Sequence, residues 1–279
     1  ALSTMLEIWE QLFSTPVHLD SAISKIPPTY KSIVARILPV VLRRPMALAE
    51  QLGVDVRSPW KGDIALWDGI EPLLEDSIHQ IEKIEKQAGS DKDFPDHFVK
   101  GMTEDWGAHA GPLMQELTRD PPMGLRASRS KGSGKLLQAL RTEADFPHGG
   151  PAESRVSPVG VSVAGYAAIA GTTAFQEGWC EIQDEGSQFI ALFALWPEVY
   201  GKFLTPMPSA FGNERPPEPP RGRSLSCNVV DACAGAGGKA LSLADYLEGR
   251  GRVFAYDVSN TKLQALKRRA LRWNLNNIQ

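Results

Sequence analysis

The 279-residue sequence lacks long apolar runs and has little cysteine. A membrane-spanning helix needs about 20 predominantly apolar residues, and no segment of the sequence approaches that length. The first residues, ALSTMLEIWEQLF, also lack the basic region and the cleavage site of a secretory signal. We therefore expect a cytoplasmic protein with no membrane contact.

The three cysteines, Cys180, Cys227 and Cys233, are an odd number, form no CxxC pair and have no histidine nearby. This pattern fits neither a disulfide framework nor a zinc site. We therefore expect reduced thiols and no bound metal.

The sequence has little excess of either charge, since 30 basic and 33 acidic residues give a net charge of −3, but the charges are unevenly distributed. Residues 1–110 carry 11 basic and 17 acidic side chains, whereas residues 201–279 carry 12 basic and 6 acidic ones. A second basic stretch, residues 119–135, contains Arg126, Arg129 and Lys131. Such asymmetry is typical of a local polyanion contact, although solvated surface explains the same charges. The sequence leaves both interpretations open.

The spacing of apolar residues divides the chain into three parts. Residues 1–110 have apolar positions at intervals of three and four, which predicts an all-α module. Residues 111–204 predict a small α/β module, and residues 205–223, with six prolines, predict a connection to the last part. The predicted helices lie at 70–84, around Phe98, and at 113–117, 135–141, 185–195, 240–248 and 260–275; the predicted strands lie at 123–127, near Val161, near Cys180, and at 228–232 and 253–256.

The segment VVDACAGAGGKALSLADYLEGRGRVFAYD has the order strand, glycine-rich turn, helix, strand and acidic residue. Gly235, Gly237 and Gly238 allow the chain to turn tightly and to approach a ligand closely. The helix that follows presents free N–H groups at the same point. Asp257 ends the second strand, where its carboxylate can accept hydrogen bonds from both hydroxyls of a ribose. The pattern indicates a pocket for a nucleoside cofactor.

The turn matches neither the dinucleotide pattern G-x-G-x-x-G nor the phosphate-binding pattern that ends in GK[ST]. Together with the acidic residue, this favours S-adenosylmethionine as the cofactor. NAD and a purely structural βαβ unit remain as alternatives.

The glycine-rich turn resembles that of the RNA cytosine-5 methyltransferases, the family of the bacterial Sun or Fmu enzyme and the eukaryotic Nop2/Sun proteins. The family's turn reads approximately DACAAPGGKT, and this chain has DACAGAGGKA at 231–240. Other similar segments follow in the family's order: PDHFV at 95–99, PPMGLRAS at 121–128 and EGWCEIQDEGSQF at 177–189. The resemblance covers residues 95–279, with departures at Phe98 and Ser128, where tryptophan and asparagine are usual.

The resemblance implies a multidomain fold. Its parts are an all-α NusB-like RNA-binding domain at 1–110, a small α/β RRM-like RNA-binding domain at 111–204, and a linker with the start of a Rossmann-like α/β class I methyltransferase domain at 205–279. The acidic residues of the QDE segment, Asp184 and Glu185, are expected to cap the next helix and to hold the small domain to the catalytic one.

The resemblance also implies the binding residues. S-adenosylmethionine is expected to contact Cys233, Ala234, Gly235, Ala236, Gly237, Gly238, Lys239 and Asp257. From the charge of the basic stretch at 119–135, and not from the resemblance, RNA is expected to contact Arg126, Arg129 and Lys131. The RNA is expected to be ribosomal rather than transfer RNA, and DNA is not expected as a partner.

The family's chemistry needs cysteines that this sequence does not supply. In the family a cysteine thiolate adds to carbon 6 of an unpaired or flipped-out cytosine, which activates carbon 5 for methylation. The family's cysteine motifs resemble TCS and DAPCSG, and neither occurs here. We therefore assign no catalytic residue, expect the cysteines beyond Gln279, and expect this chain alone to be inactive.

Two other functions remain open. One is a non-catalytic RNA-binding or assembly factor. The other is a methyltransferase for proteins or small molecules, which the basic stretch at 119–135 and the QDE segment argue against.

Overall fold

The computed structural model describes residues 8, 26, 38, 40–52, 91–119, 121–146, 149–164, 167–201, 216–220 and 225–279. The chain forms two compact units, Ala1–Asp120 and Pro121–Gln279. The helix predicted at 70–84, most of the residues before 40 and most of the predicted connection at 205–223 lie outside the described residues.

The described part of the first unit is helical. Its α-helices and 3-10 turns are Pro45–Leu52, Asp91–Asp93, Asp96–Trp106, Gly107–His109 and Ala110–Leu117. The two predicted helices near Phe98 and Leu117 are thus confirmed. Helix Ala110–Leu117 packs against helix Asp96–Trp106 and buries Met114, so it belongs to the first unit. The sequence had placed a boundary after residue 110, whereas the compact units divide after Asp120.

The second unit begins with a four-stranded antiparallel sheet. Its strands are β1 (Met123–Ala127), β2 (Ala152–Glu153), β3 (Gly160–Val163) and β4 (Cys180–Ile182), in the spatial order β2-β3-β1-β4. Helix Gly132–Glu143 follows β1, and the short helix Thr173–Gln176 precedes β4. The chain order is therefore β-α-β-β-α-β, the split βαβ arrangement. An RRM-like identity for this part remains a prediction.

One face of the sheet forms a core with helix Gly132–Glu143. In β3, Val161 and Val163 alternate with the more exposed Ser162, as expected for a strand with one buried face. Leu136 and Leu140 lie one helical turn apart and are fully buried against the sheet. The strand predicted at 123–127 is confirmed at its exact bounds.

A parallel βαβ unit follows. Strand β5 (Val229–Asp231) pairs with β6 (Val253–Ala255) in the register Val229↔Val253. Parallel strands need a long crossover, and here it contains helix Gly238–Leu247, which we call the loop helix. Helix Asn260–Arg272, which we call the basic helix, follows β6. This order of strand, helix, strand and helix is that of the start of a Rossmann-like fold, as the sequence predicted.

Elements from both sides of segment 205–223 share one hydrophobic core. Helix Glu185–Leu195 packs against the loop helix, and the rings of Trp196 and Tyr246 meet edge to face with centroids 5.6 Å apart. Trp196 is 2% exposed, and burial of a large apolar side chain contributes roughly 1.5–3 kcal/mol. The antiparallel sheet and the βαβ unit are therefore one compact unit.

Within the described residues, no helix is long and apolar enough to cross a membrane.

Candidate cofactor site

The candidate site lies where β5 ends and the chain turns into the loop helix. We call residues 232–237 the glycine loop. Gly235 and Gly237 have φ angles of 55° and 97°, in the left-handed region that favours glycine. A Cβ on Gly237 would lie 2.6 Å from Cγ of Leu266, whereas a Cβ on Gly235 would meet no atom within 4 Å. Gly237 is therefore required for packing, and Gly235 borders open space.

The glycine loop is fixed by backbone hydrogen bonds. The Ala234 N–H donates to the Tyr256 carbonyl at 2.9 Å, and the Gly237 N–H donates to the Ala234 carbonyl at 2.9 Å. The Tyr256 N–H donates in turn to the Asp231 carbonyl at 2.8 Å. The loop thus keeps its shape through the protein's own contacts with the end of β6.

Asp257 contributes to holding the glycine loop. Its Oδ2 accepts a hydrogen bond from the Gly235 N–H at 2.8 Å, and its Oδ1 accepts one from the Ser259 N–H at 2.8 Å. The hydrogen bond from Ser259, followed in effect by the one from Gly235, lowers the pKa of Asp257, so its side chain is a carboxylate at neutral pH. Each carboxylate oxygen has a second acceptor position, which leaves room for the predicted ribose contact. The sequence did not predict the bond to the loop.

The loop helix begins at Gly238, directly beside the glycine loop, with Gly237 as its cap. The N–H groups in the first turn of an α-helix have no partner within the helix, and the helix dipole makes this end attractive to anions. Lys239 in this turn and Cys233 in the loop are exposed. Gln183 lies beside this turn, since a Cβ on Gly238 would be 3.7 Å from its Nε2. The predicted cofactor residues of the loop are therefore gathered around one helix N-terminus.

Arg126 has a structural position that the sequence did not predict. The side chain is 0% exposed, and its Nη1 forms an ion pair with Oδ2 of Asp245 at 3.1 Å. Its Nε donates to Oε1 of Gln183 at 2.9 Å, and its guanidinium lies 4.3 Å from the ring centroid of Trp273. A buried and paired guanidinium offers no surface to a phosphate. This placement argues against Arg126 as an RNA contact.

The other two predicted RNA contacts differ from each other. Arg129 pairs with Oε1 of Glu248 at 2.7 Å, and its Nη2 donates to the Pro220 carbonyl at 3.0 Å. The Nζ of Lys131 lies 4.2 Å from the ring centroid of Trp179. Lys131 has no carboxylate partner among the described ion pairs, so its charge is the least neutralised of the three.

One acidic residue of the QDE segment, Asp184, caps the following helix as predicted. Asp184 caps helix Glu185–Leu195, because its Oδ1 accepts a hydrogen bond from the Ser187 N–H at 3.1 Å, which confirms that prediction. Glu181 adds a contact between the sheet and the βαβ unit, because its Oε2 pairs with Arg269 at 3.1 Å and with Arg272 at 2.7 Å. The acidic partners Glu181 and Asp245 were not singled out from the sequence.

Comparison with known proteins gives two curated relatives, while no family model matches the chain. Both are described as probable ribosomal RNA small subunit methyltransferase B. The Bacillus subtilis protein is 26% identical in an alignment of 202 positions that covers 71% of this chain and 38% of that protein. The Synechocystis protein is 24% identical in an alignment of 266 positions that covers 88% of this chain and 51% of that protein. The chain thus spans about half or less of the length of these relatives.

Among solved structures, the crystal structure of PH0851 shares the fold, with a TM-score of 0.60 and 14% identity. The match covers 100% of this chain and 68% of that one. The curated matches support the family resemblance that the motifs indicated.

Proposed function

We propose that this chain, a relative of the Sun and Nop2/Sun methyltransferases, provides the cofactor loop and an RNA-binding part of an S-adenosylmethionine-dependent RNA cytosine-5 methyltransferase. Ribosomal RNA is the proposed substrate, because both curated relatives are described as ribosomal RNA methyltransferases. The observation that carries the proposal is the glycine loop held by Asp257 at the N-terminus of the loop helix.

The loop and Asp257 fit S-adenosylmethionine by the chemistry of their groups. The N–H groups of the first turn of the loop helix suit the carboxylate of the cofactor's amino-acid part, since a helix N-terminus favours anions. The Asp257 carboxylate suits the ribose hydroxyls through its second acceptor positions. The remaining predicted contacts are residues 233–239. When bound, the cofactor supplies an electrophilic methyl group.

The proposed reaction uses cysteines outside these 279 residues. A thiolate bonds to carbon 6 of cytosine, carbon 5 takes the methyl group, and loss of the carbon 5 proton and of the thiolate restores the base. Cys180 is fully buried, and burial raises the pKa of its thiol to about 12, so it does not serve as this nucleophile. This chain contributes cofactor and RNA contacts in the proposal, with Lys131 as the leading RNA contact.

The first experiment is calorimetry of the purified chain with S-adenosylmethionine and, separately, with NAD. We expect the chain to bind S-adenosylmethionine and not to bind NAD. Asp257→Ala should weaken that binding by about tenfold or more, because the ribose loses its acceptor and the Gly235 N–H loses its partner.

Ser259→Ala is the matched control. It removes the cap of the basic helix, where Oγ accepts a hydrogen bond from the Lys262 N–H at 3.4 Å, but it leaves the backbone N–H that bonds to Asp257. We expect its affinity for S-adenosylmethionine to match that of the unmodified chain. RNA binding without any cofactor binding would support the alternative of a non-catalytic RNA-binding factor and reject the enzyme.

A further inference from the structure

Arg269 of the basic helix contacts both the antiparallel sheet and the glycine loop. Its Nε pairs with Oε2 of Glu181 at 3.1 Å, and its Nη1 donates a hydrogen bond to the Ala236 carbonyl at 2.5 Å. Glu181 lies on β4 and is only 3% exposed, so its carboxylate is a fixed anchor. A single side chain therefore connects a buried carboxylate of the sheet to the backbone of the loop.

The peptide group between Ala236 and Gly237 is bonded at both ends. Arg269 binds its carbonyl, and its N–H donates to the Ala234 carbonyl at 2.9 Å. Gly237 has a φ of 97° and caps the loop helix, so rotation of this peptide would change where the first turn begins. With the carbonyl held by a cation, the peptide has one orientation.

We propose that Glu181 and Arg269 are positioning residues for the cofactor loop: Glu181 orients Arg269, and Arg269 fixes the Ala236 carbonyl so that the loop is preformed before the cofactor binds. This proposal rests on the proposed function, because a role in cofactor binding requires that the glycine loop bind S-adenosylmethionine. The contacts of Arg269 with Glu181 and with the Ala236 carbonyl are present in the protein without cofactor.

Arg272 provides a matched control on the same helix. It also pairs with Glu181, through Nη2 at 2.7 Å, and it donates to the Cys180 carbonyl at 3.2 Å. It has no described contact with the glycine loop. Loss of Arg272 therefore weakens the contact between the basic helix and the sheet without removing the bond to Ala236.

The first measurement is amide hydrogen exchange of the loop in the purified chain without cofactor. In Arg269→Met, the amides of Gly235 and Gly237 should exchange about tenfold faster, because a charge-assisted bond that restricts local opening is gone. In Arg272→Met these two rates should stay at the wild-type value. Equal acceleration in both variants, or unchanged rates in a folded Arg269→Met, would overturn the proposal.

Two further variants keep the test decisive. Arg269→Lys should give an intermediate rate, because one ammonium group does not reproduce two bonds from a planar guanidinium. If Arg269→Met does not fold, a wild-type loop rate in Arg269→Lys overturns the proposal. Glu181→Gln should accelerate loop exchange less than Arg269→Met does, since its amide oxygen still accepts a bond. An unchanged rate of loop amide exchange in Glu181→Gln would show that Glu181 is not a positioning residue.

The second measurement is the affinity for S-adenosylmethionine by calorimetry. Arg269→Met should bind several-fold more weakly than Arg272→Met. If the wild-type chain does not bind S-adenosylmethionine, the proposed function fails for this chain, while the exchange data still decide whether Arg269 fixes the loop. If the wild type binds and both variants bind equally well, the proposed function stands and the positioning role is rejected.

Discussion

Replacement of Arg126 by methionine should strongly destabilise the unit Pro121–Gln279. The substitution leaves the Asp245 carboxylate, which is only 11% exposed, with a hydrogen bond from the Arg129 N–H but without the charge of Arg126. Removal of one partner of a buried ion pair typically costs about 3–5 kcal/mol. Loss of the contact with Trp273 adds about 0.5–2 kcal/mol, and methionine fills most of the volume, which limits the cavity cost.

One structural detail reduces the expected loss. The Nη2 of Arg126 is buried without a hydrogen-bond partner, and its removal takes away a desolvated donor. We therefore expect a decrease of about 3 kcal/mol in the free energy of unfolding, at the lower end of the range for a broken buried pair. Urea unfolding followed by tryptophan fluorescence measures this change.

Two comparisons make the experiment decisive. Arg155 is exposed, and Arg155→Met should change the free energy of unfolding by less than about 0.5 kcal/mol. Addition of Asp245→Asn to Arg126→Met should restore part of the loss, because a neutral amide needs no counter-charge and still accepts from the Arg129 N–H. A loss below about 1 kcal/mol in Arg126→Met would refute the assignment of this arginine to the interior.

Three further predictions concern the loop, the thiols and the RNA contact. Gly237→Ala should lower the melting temperature more than Gly249→Ala, since both glycines have positive φ but a Cβ meets a neighbouring side chain only at Gly237. Iodoacetamide at pH 8 should modify exposed Cys233 in the folded protein but not Cys180, whose pKa burial raises to about 12, as mass spectrometry would show. Lys131→Ala should reduce the slope of log affinity for RNA against log salt by about 1, with only a small loss of thermal stability from the contact with Trp179, and an unchanged slope would assign Lys131 to solvated surface.

The sequence predicted local elements well where a single pattern dominated. Strand Met123–Ala127 and helix Glu185–Leu195 occur at the predicted bounds. The loop helix begins at Gly238 rather than at residue 240, with Gly237 as its N-cap. Glycine in a turn does not reveal on which side of it a helix starts.

Partners distant in sequence could not be predicted. Arg126 and Asp245 are 119 residues apart, and no local pattern relates them. A basic stretch has the same composition whether its side chains face phosphates or carboxylates of the protein, so composition alone does not distinguish Arg126 from Lys131. The second role of Asp257, its bond to Gly235, likewise depends on the meeting of two chain segments.

The separation of 119 residues between Arg126 and Asp245 has a consequence for synthesis of the chain. At about 5–20 residues per second, a ribosome adds Asp245 roughly 6–24 s after Arg126. Throughout that interval Arg126 lacks its carboxylate partner, and from residue 196 onward the ring of Trp196 also lacks its partner, Tyr246. Contacts between distant residues also slow folding. The antiparallel sheet therefore leaves the ribosome as an incomplete intermediate with exposed apolar surface, a stage at which nascent chains are prone to aggregate.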